Sequence, residues 1–235
     1  MFRTCITICI IFVGSVPQLA PADGIVVDRI YDPYVQPLET ELEWRSIIQS
    51  DDTLGDKQKH FFGFGRSLSD RWAAEIYAIG TKSSGRSLSI NTYELEFKWQ
   101  LTEQGEYAFD WGMVFELERE TDEDVWELAA TVVSARDFGR WTGVANLGLV
   151  YEWGSGISDE LESELRLQAR YRFRESIEPA VELHMGQDTV ALGPAIVGLQ
   201  RLSPGKKLRY ELGIFWGLDE QSPDQTVKAS IEFEF

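Results

Sequence analysis

From Thr40 to Phe235 the chain alternates apolar and polar side chains, and turn residues interrupt the alternation roughly every ten positions. A period of two sends successive side chains to opposite faces, so each uninterrupted segment is a strand with one oily and one polar face. Ser87–Leu101 sets Tyr93, Leu95, Phe97, Trp99 and Leu101 against Glu94, Glu96, Lys98 and Gln100. Tyr107–Glu118 sets Phe109, Trp111, Met113, Phe115 and Leu117 against Asp110, Gly112, Glu116 and Glu118. Leu161–Phe173 sets Leu165, Leu167, Ala169, Tyr171 and Phe173 against Glu164, Arg166, Gln168, Arg170 and Arg172. The last ten residues set Val227, Ala229, Ile231, Phe233 and Phe235 against Lys228, Ser230, Glu232 and Glu234. About twelve such segments follow one another, joined by turns such as Ser203-Pro204-Gly205-Lys206. No helical periodicity competes. Tilted strands of about ten residues cross a bilayer. The sequence therefore predicts an all-β fold, a closed antiparallel up-and-down transmembrane β-barrel of about 12 strands over residues 40–235.

The first residues have another character. Arg3, the apolar run Ile6–Val13 and the small-x-small pattern Ala20-Pro21-Ala22 describe a secretory signal peptide over 1–22. Its apolar run is well short of the roughly 20 residues that a spanning helix needs. Cys5 and Cys9 are the two cysteines of the chain, and both fall within it. Cleavage would leave a chain without disulfides. Residues 23–39 read as an extended periplasmic leader. Pro33 and Pro37 oppose both a helix and a central strand. Ile25, Val26, Val27, Ile30, Tyr31, Tyr34 and Val35 make it too apolar for a free tail. The expectation is a segment packed under the barrel mouth. A plug, or a dock for a periplasmic partner, is the alternative.

The alternating final segment that ends on Phe235 resembles the terminal strand of Gram-negative outer-membrane β-barrels. In that class a last Phe is a signal to the barrel assembly machinery. The resemblance implies the outer membrane of a Gram-negative bacterium, with outer-membrane lipid and the assembly machinery as partners. An even strand number places both termini on the periplasmic side. Tryptophans then sort by height. Trp72, Trp99, Trp111 and Trp141 fall at the periplasmic rim, and Trp126, Trp153 and Trp216 at the outer rim, as two aromatic girdles.

The polar faces form a charged stripe directed at the lumen: Glu94, Glu96, Lys98, Asp110, Glu116, Glu164, Arg166, Arg170, Arg172, Glu182, His184, Arg209, Glu211, Glu232 and Glu234. Opposite charges on adjacent strands stabilise their pairing. Arg166, Arg170 and Arg172 have Glu178 and Glu182 on the next strand. Lys98 faces Asp110 if the turn centres on Gln104, and Arg209 can face Glu234. The formal net charge is −17, which favours cations in a conduit and leaves no electrostatic case for nucleic acid. His60 and His184 are too few for a histidine zinc site, and neither sits beside a serine in a nucleophile–base pattern. No metal, cofactor or catalytic set is expected. The predicted function is a small porin-like channel or passive transporter for small polar, especially cationic, solutes. The alternatives are a filled structural barrel with a partner-docking leader, and an outer-membrane lipid-modifying enzyme.

Overall fold

The computed structural model describes residues 25–52, 55–83, 87–122 and 124–235; the predicted signal segment lies outside them. The strands are β1 Thr40–Ser50, β2 Lys57–Ser67, β3 Trp72–Ser83, β4 Ser89–Gln100, β5 Asp110–Glu120 and β6 Val125–Phe138. They continue as β7 Trp141–Gly154, β8 Glu160–Tyr171, β9 Glu178–Met185, β10 Val190–Ser203, β11 Lys206–Gly217 and β12 Gln225–Glu234. Each pairs antiparallel with its neighbours in sequence, and β12 closes on β1. The closing register runs from Glu41 opposite Glu234 to Ser50 opposite Gln225. Closure leaves no unpaired sheet edge, which a bilayer would not tolerate. The C-terminal strand is thus a full wall element, bonded to β1 on one side and β11 on the other.

The two faces are inverted relative to a water-soluble protein. Leu147 and Leu149 on β7 are 57 % and 55 % exposed, and Leu95, Leu212 and Ile231 also face outward. Glu96, Glu182 and His184 are fully buried in the interior. An oily exterior around an ionised interior is stable only where lipid replaces water outside. Tryptophans gather at both ends of the wall. Trp72 stacks on its cross-strand partner Trp99 with centroids 5.0 Å apart, and Trp126 stacks on Trp153 at 6.3 Å. Trp111, the second residue of β5, and Trp141, the first of β7, lie at the end that carries Thr40 and Glu234, here the terminal end. Trp216 lies near the opposite end, next to the last residue of β11.

Two local expectations are corrected. The connection between β4 and β5 centres near Glu106 rather than Gln104, so Lys98 faces Val114 and not Asp110. The cause lies in the loop. The Asp110 carboxylate accepts the N–H of Gly105 at 2.7 Å, and Thr102 Oγ1 accepts the N–H of Trp111 at 2.9 Å. Asp110 therefore closes the turn. Arg172 lies outside the lumen. β8 ends at Tyr171, and the Arg172 guanidinium turns at the rim to Asp137, 2.9 Å away, and to the Gly139 carbonyl.

The leader is found inside the barrel rather than beneath its mouth. Val26 sits against Gly186 at the opposite end, in the connection from β9 to β10. Tyr34 and Val35 reach Asp110 and Gln100 at the terminal end. Between these points residues 26–35 run the length of the lumen.

The lipid-facing assignment has a direct test. Leu147→Arg places a charge at mid-strand on the outer face and should cost about 2–4 kcal/mol in urea unfolding from lipid vesicles. On a water-facing surface the same change would stay within about 0.5 kcal/mol.

Candidate functional site

The leader has no strand to pair with, so lumen side chains take up its backbone groups. Asn146 makes a two-point contact: its Oδ1 accepts the Tyr31 N–H at 2.7 Å, and its Nδ2 donates to the Tyr31 carbonyl at 3.0 Å. Gln100 accepts the Val35 N–H at 2.8 Å. Lys228 donates to the Asp28 carbonyl at 3.0 Å, and Arg166 to the Arg29 carbonyl at 3.3 Å. Buried backbone groups demand such partners. The apolar side chains of the leader fill notches in the wall. Val27 packs with Ala180, Ala191, Ala195 and Phe215, and Tyr31 with Val114 and Val133. Ile25 packs on Ile47, Phe61, Tyr77 and Ile79. The wall is shaped to match, since a Cβ at Gly112 would press on Pro33 at 3.0 Å and one at Gly186 would strike Val26.

Arg29 is the electrostatic centre. Its guanidinium meets Glu43 at 3.0 Å, Glu75 at 3.3 Å and Glu232 at 3.2 Å, carboxylates drawn from β1, β3 and β12. The Tyr77 hydroxyl accepts from Arg29 at 3.1 Å and donates to Glu43 at 2.7 Å. Arg45 answers from the wall. It pairs with Asp28 of the leader at 2.7 Å and lies over the Phe61 ring at 4.0 Å.

The stripe residues distribute around this centre. Lys228 binds Glu182 at 2.9 Å and Glu211 at 2.6 Å, and His184 Nε2 lies 3.1 Å from Glu182. Arg170 pairs with Glu178 at 3.1 Å and with leader Asp32 at 3.7 Å. Arg166 pairs with Glu164, and Arg209 with Glu234 and, at 3.6 Å, Glu232. At the terminal mouth Lys207 holds Glu39 at 2.8 Å and Glu234 at 2.6 Å. There burial, reinforced by the neighbouring Glu234, pushes the Glu39 carboxyl up to about 7 against the pull of Lys207. Arg29, Glu43, Arg45, Glu75, Tyr77 and Lys228 were not singled out in the sequence. One signal marks them. Ile47, Phe61, Val114, Val133 and Phe215 occupy inward positions that a water-filled lumen would keep polar.

The leader separates the cavities. On its terminal side a cavity of about 190 Å³ is lined by seven carboxylates and seven basic side chains. Toward the opposite mouth lies a cavity of about 100 Å³ with nine carboxylates against Lys59 and Arg166. It shares Ile25, Lys59 and three Glu residues with a wider vestibule of about 400 Å³. The terminal-side cavity shares no lining residue with either.

No protein-family model and no curated protein matches the chain. Among solved structures it is similar to an outer membrane channel from Pseudomonas putida F1, at 13 % identity and TM-score 0.59, covering 88 % of this chain and 98 % of that one. It is also similar to the KdgM porin in complex with disordered oligogalacturonate, at 9 % identity and TM-score 0.53, covering 83 % and 98 %. The β domain of the Bordetella autotransporter BrkA matches at 12 % identity and TM-score 0.54, over 84 % and 99 %. The fold is that of an outer-membrane β-barrel. The oily exterior of this outer-membrane barrel and its closed wall agree with that likeness.

Arg29→Ala removes the cation shared by three buried carboxylates and should destabilise the leader-filled barrel by about 3–5 kcal/mol. Urea unfolding in detergent reads the loss, and limited proteolysis reads release of the leader. Adding Glu75→Gln to that variant should recover part of the loss, because Glu75 is left without its ion-pair partner while Glu43 and Glu232 keep Arg45 and Arg209.

Proposed function

We propose that this protein is a porin-like channel of the outer membrane, closed at rest by residues 25–39, and that its open state passes small cationic solutes. The observation that carries this reading is the nature of the closure. Chain from outside the wall blocks the lumen, and the wall makes room for it with small residues, Gly112 against Pro33, Gly186 against Val26, and Ala180, Ala191 and Ala195 around Val27. A barrel that needed only to be filled would do so with its own large side chains, as small barrels do.

The electrostatics support the solute class. The cavity toward the opposite mouth has a carboxylate excess and is walled by low-dielectric protein, which concentrates cations. Withdrawal of the leader would remove Arg29 from Glu43, Glu75 and Glu232 and make the middle of the lumen more acidic still. The terminal end, with both termini of the barrel, then faces the periplasm, and the acidic vestibule faces the exterior. The similar solved structures named as a channel and a porin have the same architecture and support the same reading.

Single-channel recording in planar bilayers tests the proposal. The full chain should be silent or show only brief openings. A form lacking residues 25–38 should give stable steps with reversal potentials that favour cations. Glu118→Gln with Glu127→Gln should weaken that preference. Silence of both the full and the shortened form, with folded barrels present, would leave the filled structural barrel as the better account.

A further inference from the structure

Three carboxylates of the lumen stand outside its ion-pair network. Glu94 and Glu96 on β4 and Glu116 on β5 each place an oxygen within 4.8 Å of the others. The register produces this, because Glu96 faces Glu116 across the strands and Glu94 is two residues along on the same face. Among the described residues none of the three has a basic nitrogen within ion-pair distance. Nearby cations are engaged elsewhere. Arg166 binds Glu164 and the Arg29 carbonyl, and Lys98 lies over the Tyr31 ring, 5.8 Å from its centroid.

A second observation points to a ligand. Glu94 is 8 % exposed, Glu96 is fully buried, and the Oε1 atom of each has no hydrogen-bond partner. The Tyr31 hydroxyl lies 2.8 Å from Glu96 Oε2 and 2.9 Å from Glu116 Oε1. A phenol has one proton to donate, so it satisfies only one of these oxygens at a time. Buried carboxylates this close do not all stay ionised without a counterion.

We propose that Glu94, Glu96 and Glu116 bind a divalent cation of the Ca²⁺ class at the contact between leader and wall. The donor set is all oxygen, which suits a hard cation and not a thiolate- or imidazole-seeking metal. Glu94 and Glu116 line the acidic cavity that leads toward the opposite mouth, which gives the ion its approach. Glu96 and Glu116 also grip Tyr31, so an ion between them fixes the wall side of the leader's anchor. An ion that binds the leader-filled state preferentially also stabilises it. The site depends on the position of the leader and not on conduction, so a silent barrel binds the ion equally well.

The test is calorimetric titration of CaCl₂ into the full chain, freed of divalent ions with chelator and held in detergent. The full chain should show one saturable site per barrel. Glu94→Gln with Glu96→Gln should weaken it by about tenfold or more, since affinity follows the charge of the ligand set. A Glu103→Gln, Glu175→Gln control, in exposed ion pairs at the terminal rim, should bind as the full chain does. Heat-modifiable gel migration reports folding of each variant. If the double variant fails to fold, Glu94→Gln alone carries the comparison, because Glu94 makes no hydrogen bond to the leader. Absence of saturable heat, or equal affinity in the Glu94 variants, would overturn the site and show that protons alone relieve the cluster.

Discussion

A charge moved out of water needs a counter-charge within reach, and the interior of this barrel is organised by that requirement. Glu43, Glu75 and Glu232 converge from three strands, and the cation that all three share comes from Arg29, which belongs to none of the strands; Arg45 and Arg209 of the wall add a second contact to Glu43 and Glu232. The dependence is mutual. Arg45 serves the Asp28 carboxylate, while Lys228 holds the Asp28 carbonyl and Arg166 that of Arg29. Leader and wall each carry the other's missing partners. Removing either one strands buried ions, which explains how a segment without secondary structure holds one path through the lumen.

The same arrangement sets what an open state would be like. In the proposed channel the charges left when the leader withdraws are those that hold it in place, so closure and selectivity would share residues. Charge is also unequal along the axis. The terminal-side cavity balances acids and bases, whereas the cavity beyond the leader is strongly acidic. A cation entering from the acidic side meets an attractive field first and the Arg29 centre second. Release of the leader must overcome the ion pairs that Asp28, Arg29 and Asp32 make with the wall, the Asn146 clamp on Tyr31 and the apolar seats of Ile25, Val27 and Tyr31.

The strands were legible because two constraints agree. Period-two alternation is a local signal, and the bilayer requires the same oily face on every strand, so errors in one segment do not propagate. Two misplacements came from strand ends, where parity continues but the strand does not. Arg172 keeps the inward parity of Arg170 yet follows the last residue of β8. Asp110 was paired with Lys98, but it heads β5 opposite Ala135 and its carboxylate closes the turn. The path of the leader was not legible in this way. Arg29 and Glu232 are 203 residues apart, and nothing local in either announces the other. A non-local clue did exist. Phe61, Val133 and Phe215 sit at inward positions in otherwise polar stripes, and apolar side chains facing the axis imply an apolar occupant.

The claim most exposed to test is that residues 25–35 occupy the lumen. Cys5 and Cys9 both precede residue 23, so in a chain that begins there a single introduced cysteine can report on its own surroundings. Val27 is fully buried and Leu38 is 92 % exposed. Folded barrels carrying Val27→Cys or Leu38→Cys should differ sharply in labelling by a large water-soluble maleimide. The Leu38 variant should react at once and the Val27 variant only after denaturation. Equal and rapid labelling at both positions in the folded barrel would contradict the account.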